Sequence, residues 1–305
     1  MFVGIAENNP YIYHIIIRRL IVKDFGKELF DIGQILLKNT VQLFKNKSEK
    51  GLGGLGSGIL FEFEDNYFII TASHNFVYSD KFVEQGIDDL KIQVGEYLYD
   101  LKQEIIFGID KPTYEITKID IAIIKLRSTS LVEALKKCKS FLTLSDINLF
   151  PQQRIVNEKN NESSDYYILF GYPETKTKRI IKRFNPIIED NKFKITAYCQ
   201  MEYLKHKVPP KLIDEGFTNH IFFNKIKKGS DLNFENRLIK PIQNGMSGCG
   251  LWEINDDLIE GKPKLKLVGI FTEFQREFGV SVKLKFAIAL IKQQFKLERL
   301  PNLIS

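Results

Sequence analysis

Short β-strand patterns separated by turn residues run through most of this chain, and they constrain its fold more than any other feature. Segments such as NTVQLFKN, KIQVGEYLYD and DYYILFGYP are rich in β-branched and aromatic residues, the residue types that favour strands. By contrast, KFAIALIKQQFKL near the C-terminus has the pattern of a closing helix. Many short strands with a terminal helix predict an all-β fold built from barrels or sandwiches.

The sequence predicts three parts of unequal length. Residues 1–38 form an N-terminal extension whose apolar runs fit both strand and helix patterns. Residues 39–145 form a first β unit, and a Pro-, Asn-, Glu- and Ser-rich stretch around 150–165 is a candidate linker. Residues 146–305 form a second β unit, which includes an irregular charged insertion at about 203–218 and the C-terminal helix.

Composition places the chain among ordinary globular proteins. Its 305 residues, of which 44% are hydrophobic and 27% charged, are enough to bury a full core. The net charge of +6 comes from Lys-rich clusters such as Lys176–Arg179 and Lys225–Lys228. Aromatic residues are not interleaved with these clusters, and no binding motif frames them, so we interpret them as solvated surface and expect no nucleic-acid partner.

The cysteines and the N-terminus indicate a reducing, aqueous location. Cys138, Cys199 and Cys249 are odd in number and form no C-x-x-C pair, which favours reduced thiols over a disulfide framework. The N-terminal residues show no basic region followed by a cleavage site. The apolar run Ile15–Ile17 is interrupted by two arginines, far short of the ~20 residues that span a membrane. We therefore expect a soluble cytoplasmic protein without a membrane partner.

A glycine-rich segment at residues 47–58 matches the G-x-G-x-x-G fingerprint of dinucleotide-binding proteins at Gly51, Gly53 and Gly56. That interpretation requires a following helix, whose N-terminus would receive the phosphate. Instead, GILFEFEDNYFIITAS follows, which predicts two strands joined by a Glu-Asp-Asn turn. We interpret the segment as a polar loop and expect no nucleotide cofactor.

Ser247 is the strongest candidate for a chemical role. It lies in PIQNGMSGCG, between Gly245 on one side and Gly248 and Gly250 on the other, just before an apolar strand. Small neighbours allow a tight turn and let a substrate carbonyl approach backbone N–H groups, which can stabilise an oxyanion by about 3–4 kcal/mol per donor. Read alone, the segment is also compatible with an ordinary Gly-Ser-rich β-turn.

A serine nucleophile requires a base, and the chain has four histidines, at positions 14, 74, 206 and 220. None follows Ser247, which excludes the Ser-Asp-His order of the α/β-hydrolases. His74 ends the predicted strand at residues 66–73, at the position where a side chain leaves a buried strand for a cleft, whereas the other three lie in or beside the extension or the charged insertion. Elimination therefore favours His74.

Asp120 is the candidate third member. It immediately precedes the apolar strand residues Ile121–Ile124, where an unpaired carboxylate would be expensive to bury. A carboxylate bonded to the imidazole fixes its tautomer and stabilises the imidazolium. An ordinary strand-entry aspartate is the alternative.

These motifs, in the order His, Asp, Ser, resemble those of the chymotrypsin/trypsin-like serine peptidases, in the broad sense that includes bacterial members without disulfides. The resemblance covers roughly residues 40–300. The matching segments are Ser57-Gly-Ile-Leu, Thr71-Ala72-Ser73-His74, Asp120-Ile-Ala-Ile-Ile, Phe170-Gly-Tyr-Pro173, Gly245-Met-Ser247-Gly248-Cys249 and Leu267-Val-Gly269-Ile270. It implies two antiparallel six-stranded β-barrels, with His74 and Asp120 from the first barrel and Ser247 from the second.

The resemblance also implies roles for further residues. The backbone N–H groups of Gly245 and Ser247 would form the oxyanion hole. The hydroxyl of Thr272 would support the catalytic aspartate, and residues 271–274 would form the wall along which substrate backbone pairs. Glu273 and Phe274 would lie near the mouth of the specificity pocket.

Three positions depart from the family pattern. Met246 replaces the aspartate that pairs with a newly cut N-terminus, so activation by N-terminal cleavage is not expected. Cys249 replaces a glycine, and we interpret it as a small buried hydrophobe. Pro241 stands where trypsin-like members carry a specificity aspartate, and this disfavours cleavage after Lys or Arg.

The resemblance therefore implies a serine endopeptidase that acts through an acyl-enzyme on a protein or peptide substrate, without metal or organic cofactor. Control would pass to a regulatory protein partner or to the N-terminal extension. Family analogy also includes bacterial defence proteases that cleave one dedicated intracellular protein. The alternatives are a catalytically silent member that serves as a binding or regulatory module, and a basic nucleic-acid or regulatory binding protein on the same fold.

Overall fold

The computed structural model describes residues 32–46, 52–78, 81–82, 89–95, 97–109, 119–151, 166–172, 200–205, 219–224, 229–231, 237–239, 246–254, 265–275 and 278–295. Within these ranges the chain is mostly β, with two large antiparallel sheets and a helix after the last strand. No helix in this part of the chain is long and apolar enough to cross a membrane.

Residues 32–39 form a helix, α1, that leads directly into the first sheet. Among the described residues this sheet has seven strands in the order β7-β6-β1-β2-β3-β9-β8. A short separate hairpin, β4–β5, follows β3. The strands are β1 Thr40–Asn46, β2 Leu52–Phe63, β3 Asn66–Thr71, β4 Val77–Tyr78, β5 Lys81–Phe82, β6 Leu90–Val94, β7 Tyr97–Asp100, β8 Ile105–Gly108 and β9 Ala122–Leu126.

The second sheet is built from the rest of the chain. Its eight strands among the described residues have the order β12-β17-β16-β15-β10-β11-β13-β14. They are β10 Tyr166–Gly171, β11 Gln200–Lys205, β12 His220–Asn224, β13 Gly229–Asp231, β14 Arg237–Ile239, β15 Gly250–Ile254, β16 Leu265–Gln275 and β17 Phe278–Lys283. Two further helices are α2, Thr129–Cys138, between the sheets in sequence, and α3, Lys285–Phe295, after β17.

In the described ranges, alternating side chains divide the apolar residues among three buried clusters. In β9, Ile124 packs inside the first sheet with residues such as Leu60 and Ile92. Its neighbour Ile123 points the other way, into a central cluster that both sheets and two helices share. The members of the central cluster include Ile32, Leu36, Ile59, Phe61, Ile123, Ile168, Phe170, Trp252, Leu267, Ile270, Ala287, Ile288 and Ile291. The third cluster lies inside the second sheet and contains Met246, Cys249 and Phe271.

The two helices after the first sheet are fixed at their ends and faces. The Ser128 hydroxyl accepts a bond from the Leu131 N–H and so caps α2. α3 buries Ala287, Ile288 and Ile291 in the central cluster, so it packs across the junction of the two sheets. Of the apolar residues that the helical pattern of KFAIALIKQQFKL contains, Leu290 is also buried in this cluster, whereas Phe286 and Ala289 are partly buried.

The tight turn between β2 and β3 has the two-residue form that hairpins favour. Glu64 and Asp65 both have positive φ, 47° and 59°, as type I′ turns require. The side-chain amide of Asn66 donates to the Glu64 carbonyl oxygen at 2.7 Å. The Glu-Asp-Asn turn expected from the sequence is thus present.

The fold class predicted from the sequence is confirmed: the chain is mostly β, in two antiparallel units with a C-terminal helix. The arrangement fits the chymotrypsin-like two-barrel fold that the motifs imply, with seven and eight strands in the described parts of the two sheets where six each were expected. The proposed boundary at 145/146 stays a prediction, because residues 152–165 lie outside the described residues.

Two local predictions were wrong. The polar loop expected up to Gly58 is a strand from Leu52 onward, because glycines there allow close strand contact: a Cβ on Gly58 would lie 2.3 Å from Ile69 Cγ2. The charged insertion cannot begin at residue 203, because β11 continues to Lys205 by pairing with β10.

Two glycines with positive φ allow a stability prediction. Gly95 has a φ of 62°, and a Cβ added to it would have no atom within 4 Å. Gly248 has a φ of 86°, and a Cβ added to it would lie 2.1 Å from Thr71 Oγ1 and 2.2 Å from the Ser57 carbonyl oxygen. We expect Gly95→Ala to lower the free energy of unfolding by about 1–2 kcal/mol from backbone strain alone. Gly248→Ala adds overpacking and should cost at least about 2 kcal/mol more. Urea unfolding of both variants measures the difference, and equal losses would contradict the crowding at Gly248.

Candidate active site

His74 lies on a single turn of 3-10 helix, Ser73–Asn75, directly after β3. The Ser73 hydroxyl fixes this turn by donating to the Ile109 carbonyl oxygen at 2.6 Å. Thr71, Ala72 and Ser73 are buried, whereas 47% of the His74 side chain is exposed. The turn therefore carries the imidazole out of the sheet to the protein surface.

Strand pairing brings Asp120 to the same place. β3 and β9 are antiparallel with Thr71 opposite Ala122, so the residues that follow β3 meet those that precede β9. Asp120 is buried, and both of its carboxylate oxygens are used: Oδ1 accepts from the His74 backbone N–H at 2.9 Å and Oδ2 lies 2.5 Å from His74 Nδ1. With the Nδ1 proton directed at the carboxylate, Nε2 is the nitrogen available as a base.

Opposing effects act on the pKa of His74. Burial in the surrounding protein disfavours the imidazolium, but the hydrogen bond to Asp120, the charge of Asp120 and the charge of Glu273 outweigh it and raise the pKa above its usual 6.5. Because the folded-state pKa exceeds that of the unfolded chain, the protonated pair stabilises the fold fully below pH 6.5. This stabilisation is lost as the pH rises through the folded-state pKa.

Ser247 lies in a tight turn immediately before β15. The Cys249 N–H closes the turn on the Met246 carbonyl oxygen at 3.0 Å, and Gly248 supplies its positive φ. Met246 and Cys249 are fully buried, whereas Ser247 is half-buried. The interpretation of Cys249 as a small buried residue is thus confirmed.

The backbone of Ser247 contacts the first sheet beside His74. Its carbonyl oxygen accepts from the Ser57 N–H at 2.9 Å and from the amide of Asn75, the residue after His74, at 3.4 Å. The Ser247 hydroxyl donates to the Thr272 carbonyl oxygen at 3.1 Å. Within the described part of the chain, no hydrogen bond joins this hydroxyl to the His74 ring.

The other predicted site residues fall into three groups. Gly245 and Pro241 lie outside the described residues. Glu273 and Phe274, both half-buried on β16, follow Thr272, and Glu273 is close enough to act on the charge of His74. Phe271 is fully buried in the core of the second sheet, and the expected wall at residues 271–274 stays a prediction.

The expected support of Asp120 by the Thr272 hydroxyl is wrong. That hydroxyl donates to the Val280 carbonyl oxygen at 3.2 Å. The physical reason is a bulge in the β16–β17 ladder, where Phe271 pairs with Ser281 and Glu273 with Val280, which leaves Thr272 as the extra residue. It is the Thr272 carbonyl group that reaches the candidate site.

Sequence reasoning missed the structural roles of three residues near the site: Ser57, which joins the two sheets by hydrogen bonds, Asn75 and Tyr172. The Ser57 hydroxyl accepts from the Tyr172 N–H at 2.8 Å, and its carbonyl oxygen accepts from the Thr71 hydroxyl at 2.7 Å. An asparagine directly after the candidate base is a weak sequence signal, and no signal points to the Tyr172 contact.

Metal ligation finds no support in the described ranges, where no three His, Cys, Asp or Glu side chains lie together. The imidazole of His74 and the carboxylate of Asp120 are joined directly, and the turn that carries the Ser247 hydroxyl contacts the residue after His74 through its backbone carbonyl group. Such a set can transfer protons and attack a carbonyl carbon.

No protein-family model and no curated protein matches the chain. Among solved structures, the chain is similar to the scabies mite inactivated protease paralogue S-I1. The identity is 13%, the TM-score is 0.46, and the match covers 87% of this chain and 98% of the mite protein.

The contact between Asp120 and His74 generates a prediction for the imidazole pKa. Asp120→Asn removes the carboxylate charge but keeps the shape of the side chain, so burial should then dominate and the pKa of His74 should fall. Proton NMR titration of the ring measures it, with His74→Ala identifying the signal among four histidines. Glu273→Gln is the matched control, because it removes a weaker charge effect and should give a smaller fall. An unchanged His74 pKa in Asp120→Asn would contradict the contact.

Proposed function

We propose that the chain is a serine endopeptidase of the chymotrypsin-like type, in which Ser247 is the nucleophile, His74 the general base and Asp120 the residue that orients the base. One observation carries the proposal. Asp120 binds both the backbone N–H and Nδ1 of His74, and Asn75 on the same turn donates to the Ser247 carbonyl oxygen. The motif order in the sequence supports the same assignment.

The proposed reaction gives each of the three residues one role. His74 Nε2 takes the proton of the Ser247 hydroxyl as Oγ attacks the substrate carbonyl carbon, and Asp120 stabilises the imidazolium that forms. The imidazolium then gives its proton to the leaving amine, which frees one peptide and leaves an acyl-enzyme. Water, activated by the same imidazole, releases the second peptide and restores the hydroxyl.

The Ser247 hydroxyl must leave the Thr272 carbonyl oxygen for this reaction to begin. Rotation about its Cα–Cβ bond moves Oγ while the backbone stays held by Ser57. Catalytic hydrogen bonds often tighten only when substrate is bound. We assign the developing oxyanion to the N–H groups of Gly245 and Ser247, as the family pattern implies.

The family pattern assigns the substrate strand to residues 271–274 of β16. The β15–β16 ladder reaches Gly250 opposite Ile270, whereas β17 pairs with the other edge of β16 as far as Gln275. The pairing of β16 with β15 thus ends before Thr272, whose carbonyl oxygen accepts from the Ser247 hydroxyl. An extended peptide that pairs there would present its backbone to the candidate nucleophile.

The proposed substrate is a dedicated intracellular protein, cleaved in a reducing cytoplasm and under the control of a partner or of residues 1–38. The free thiols of Cys138 and Cys249 are compatible with that location. Met246 is fully buried in the core of the second sheet, where an apolar side chain packs without an ion pair. A role in bacterial defence is the biological setting that family analogy offers.

One observation favours the second candidate, a catalytically silent binding or regulatory module. The Ser247 hydroxyl is engaged with the Thr272 carbonyl oxygen rather than with the imidazole. A silent module would keep this bond in all states, whereas an enzyme would break it when substrate binds.

A fluorophosphonate probe distinguishes the two candidates, because it reacts with an activated serine and not with an ordinary hydroxyl. We expect the wild-type chain to be labelled, Ser247→Ala to remain unlabelled, and His74→Ala to react about 10²- to 10⁴-fold more slowly, the usual contribution of a general base. Thr272→Val is a matched control, because its backbone carbonyl is retained and its labelling should stay within a few-fold of wild type. Peptide mass spectrometry locates the adduct. An unlabelled wild-type chain would count against the proposed enzyme and favour the silent module. If the chain is labelled, a proteome-wide cleavage profile against Ser247→Ala identifies its substrates.

A further inference from the structure

A small polar node joins the two sheets directly beneath Ser247. It consists of Ser57 on β2, Thr71 at the end of β3 and Asn75 on the His74 turn, all from the first sheet's half of the chain. The Ser247 carbonyl oxygen accepts from the Ser57 N–H at 2.9 Å and from Asn75 Nδ2 at 3.4 Å. The node therefore holds the backbone of one proposed catalytic residue against the turn that carries another.

The hydrogen-bond directions in the node fix the orientation of the Asn75 amide. The Thr71 hydroxyl donates its proton to the Ser57 carbonyl oxygen at 2.7 Å, so toward Asn75 it can only accept. The Ser247 carbonyl oxygen is also an acceptor. Both neighbours therefore require the amide nitrogen, whose two protons can serve Thr71 Oγ1 at 3.2 Å and the Ser247 carbonyl oxygen at 3.4 Å together.

Close packing leaves the node little room to adjust. A Cβ on Gly56 would lie 2.6 Å from Asn75 Nδ2 and 2.7 Å from the Ser247 carbonyl oxygen. A Cβ on Gly171 would lie 2.8 Å from Ser57 Oγ. Glycines at these positions allow the two backbones to approach closely enough for the hydrogen bonds to form.

We propose that Asn75 is a positioning residue for Ser247: through its amide it sets the distance and angle between the Ser247 turn and the His74 turn. The inference rests on the proposed function and goes beyond it, because the hydrogen bonds of the Asn75 amide go to Thr71 and to the Ser247 carbonyl oxygen rather than to the reacting groups. A misplacement of about 1 Å between reacting groups can cost about 10²-fold in rate. The hydrogen bond from Asn75, the residue next to His74, to the Ser247 carbonyl oxygen opposes such a misplacement.

The test compares Asn75→Asp, Asn75→Ala and Asn66→Asp with wild type. Asn75→Asp keeps the size of the side chain and removes the donors that face Thr71 and Ser247. Asn66→Asp makes the same chemical change in the exposed β2–β3 turn, where Asn66 also donates to a carbonyl oxygen. The measurements are the rate of fluorophosphonate labelling as a function of pH, the urea midpoint, and hydrogen exchange at the amides of Ser57, Gly248 and Cys249.

We expect both Asn75 variants to be labelled about 10-fold or more slowly than wild type and Asn66→Asp, at similar urea midpoints. The deficit should persist at pH values above the titration of His74. High pH separates two effects of Asn75→Asp. The new carboxylate raises the pKa of the neighbouring imidazole, and this effect on the labelling rate vanishes once the ring is neutral, whereas a misplaced Ser247 turn slows labelling at every pH. Exchange at the three amides should be faster in both variants, since Ser57 donates to Ser247 and Gly248 to Phe271.

Two results would overturn the inference while leaving the proposed function intact. In the first, the wild-type chain is labelled and both Asn75 variants are labelled at the same rate as Asn66→Asp. The other is a deficit in Asn75→Asp that disappears at high pH and is absent in Asn75→Ala, which would show an effect of charge. If the wild-type chain is not labelled, the proposed function fails, and hydrogen exchange alone decides whether Asn75 holds the Ser247 turn. Faster exchange of the three amides alone in the Asn75 variants supports that role, and unchanged exchange refutes it.

Discussion

The backbone hydrogen bond from Ser57 to the Ser247 carbonyl oxygen joins the two sheets at the point where the Ser247 turn meets the turn that carries His74. His74 and Asp120 belong to the first sheet's half of the chain and Ser247 to the second, so their relative position depends on how the sheets dock. The central cluster supports this docking with buried side chains from both sheets, among them Phe61, Phe170 and Trp252. Apolar burial provides the affinity between the sheets, and the directional hydrogen bonds fix their alignment.

The electrostatic design of the site follows from the burial of Asp120. A buried carboxylate without donors would be strongly destabilising, and here both oxygens are satisfied by His74. The same two contacts hold the imidazole ring in one orientation at the surface. One buried charge thus serves stability and positioning together, and Glu273 adds a weaker attraction for the imidazolium.

Sequence reasoning predicted the parts of this site that depend on local pattern, and it failed where the parts depend on three-dimensional contact. His74 and Asp120 were identifiable because each stands at the end of an apolar strand, and antiparallel pairing of β3 with β9 brings such ends together. The roles of Ser57 and Asn75 were not, since they arise where two sheets distant in sequence touch. The Thr272 prediction was wrong because a bulge of one residue redirects its side chain, and bulges leave no clear mark in a sequence.

The central claim is that Ser247, His74 and Asp120 act as one unit, and the coupling between two of them tests it most directly. The measurement is the rate of fluorophosphonate labelling of Ser247 in His74→Ala, in Asp120→Ala and in the double variant. If Asp120 acts through His74, the double variant should react no more slowly than His74→Ala alone, because residues that act as a unit show strongly non-additive losses. Losses that multiply in the double variant, or no loss in either single variant, would contradict the account.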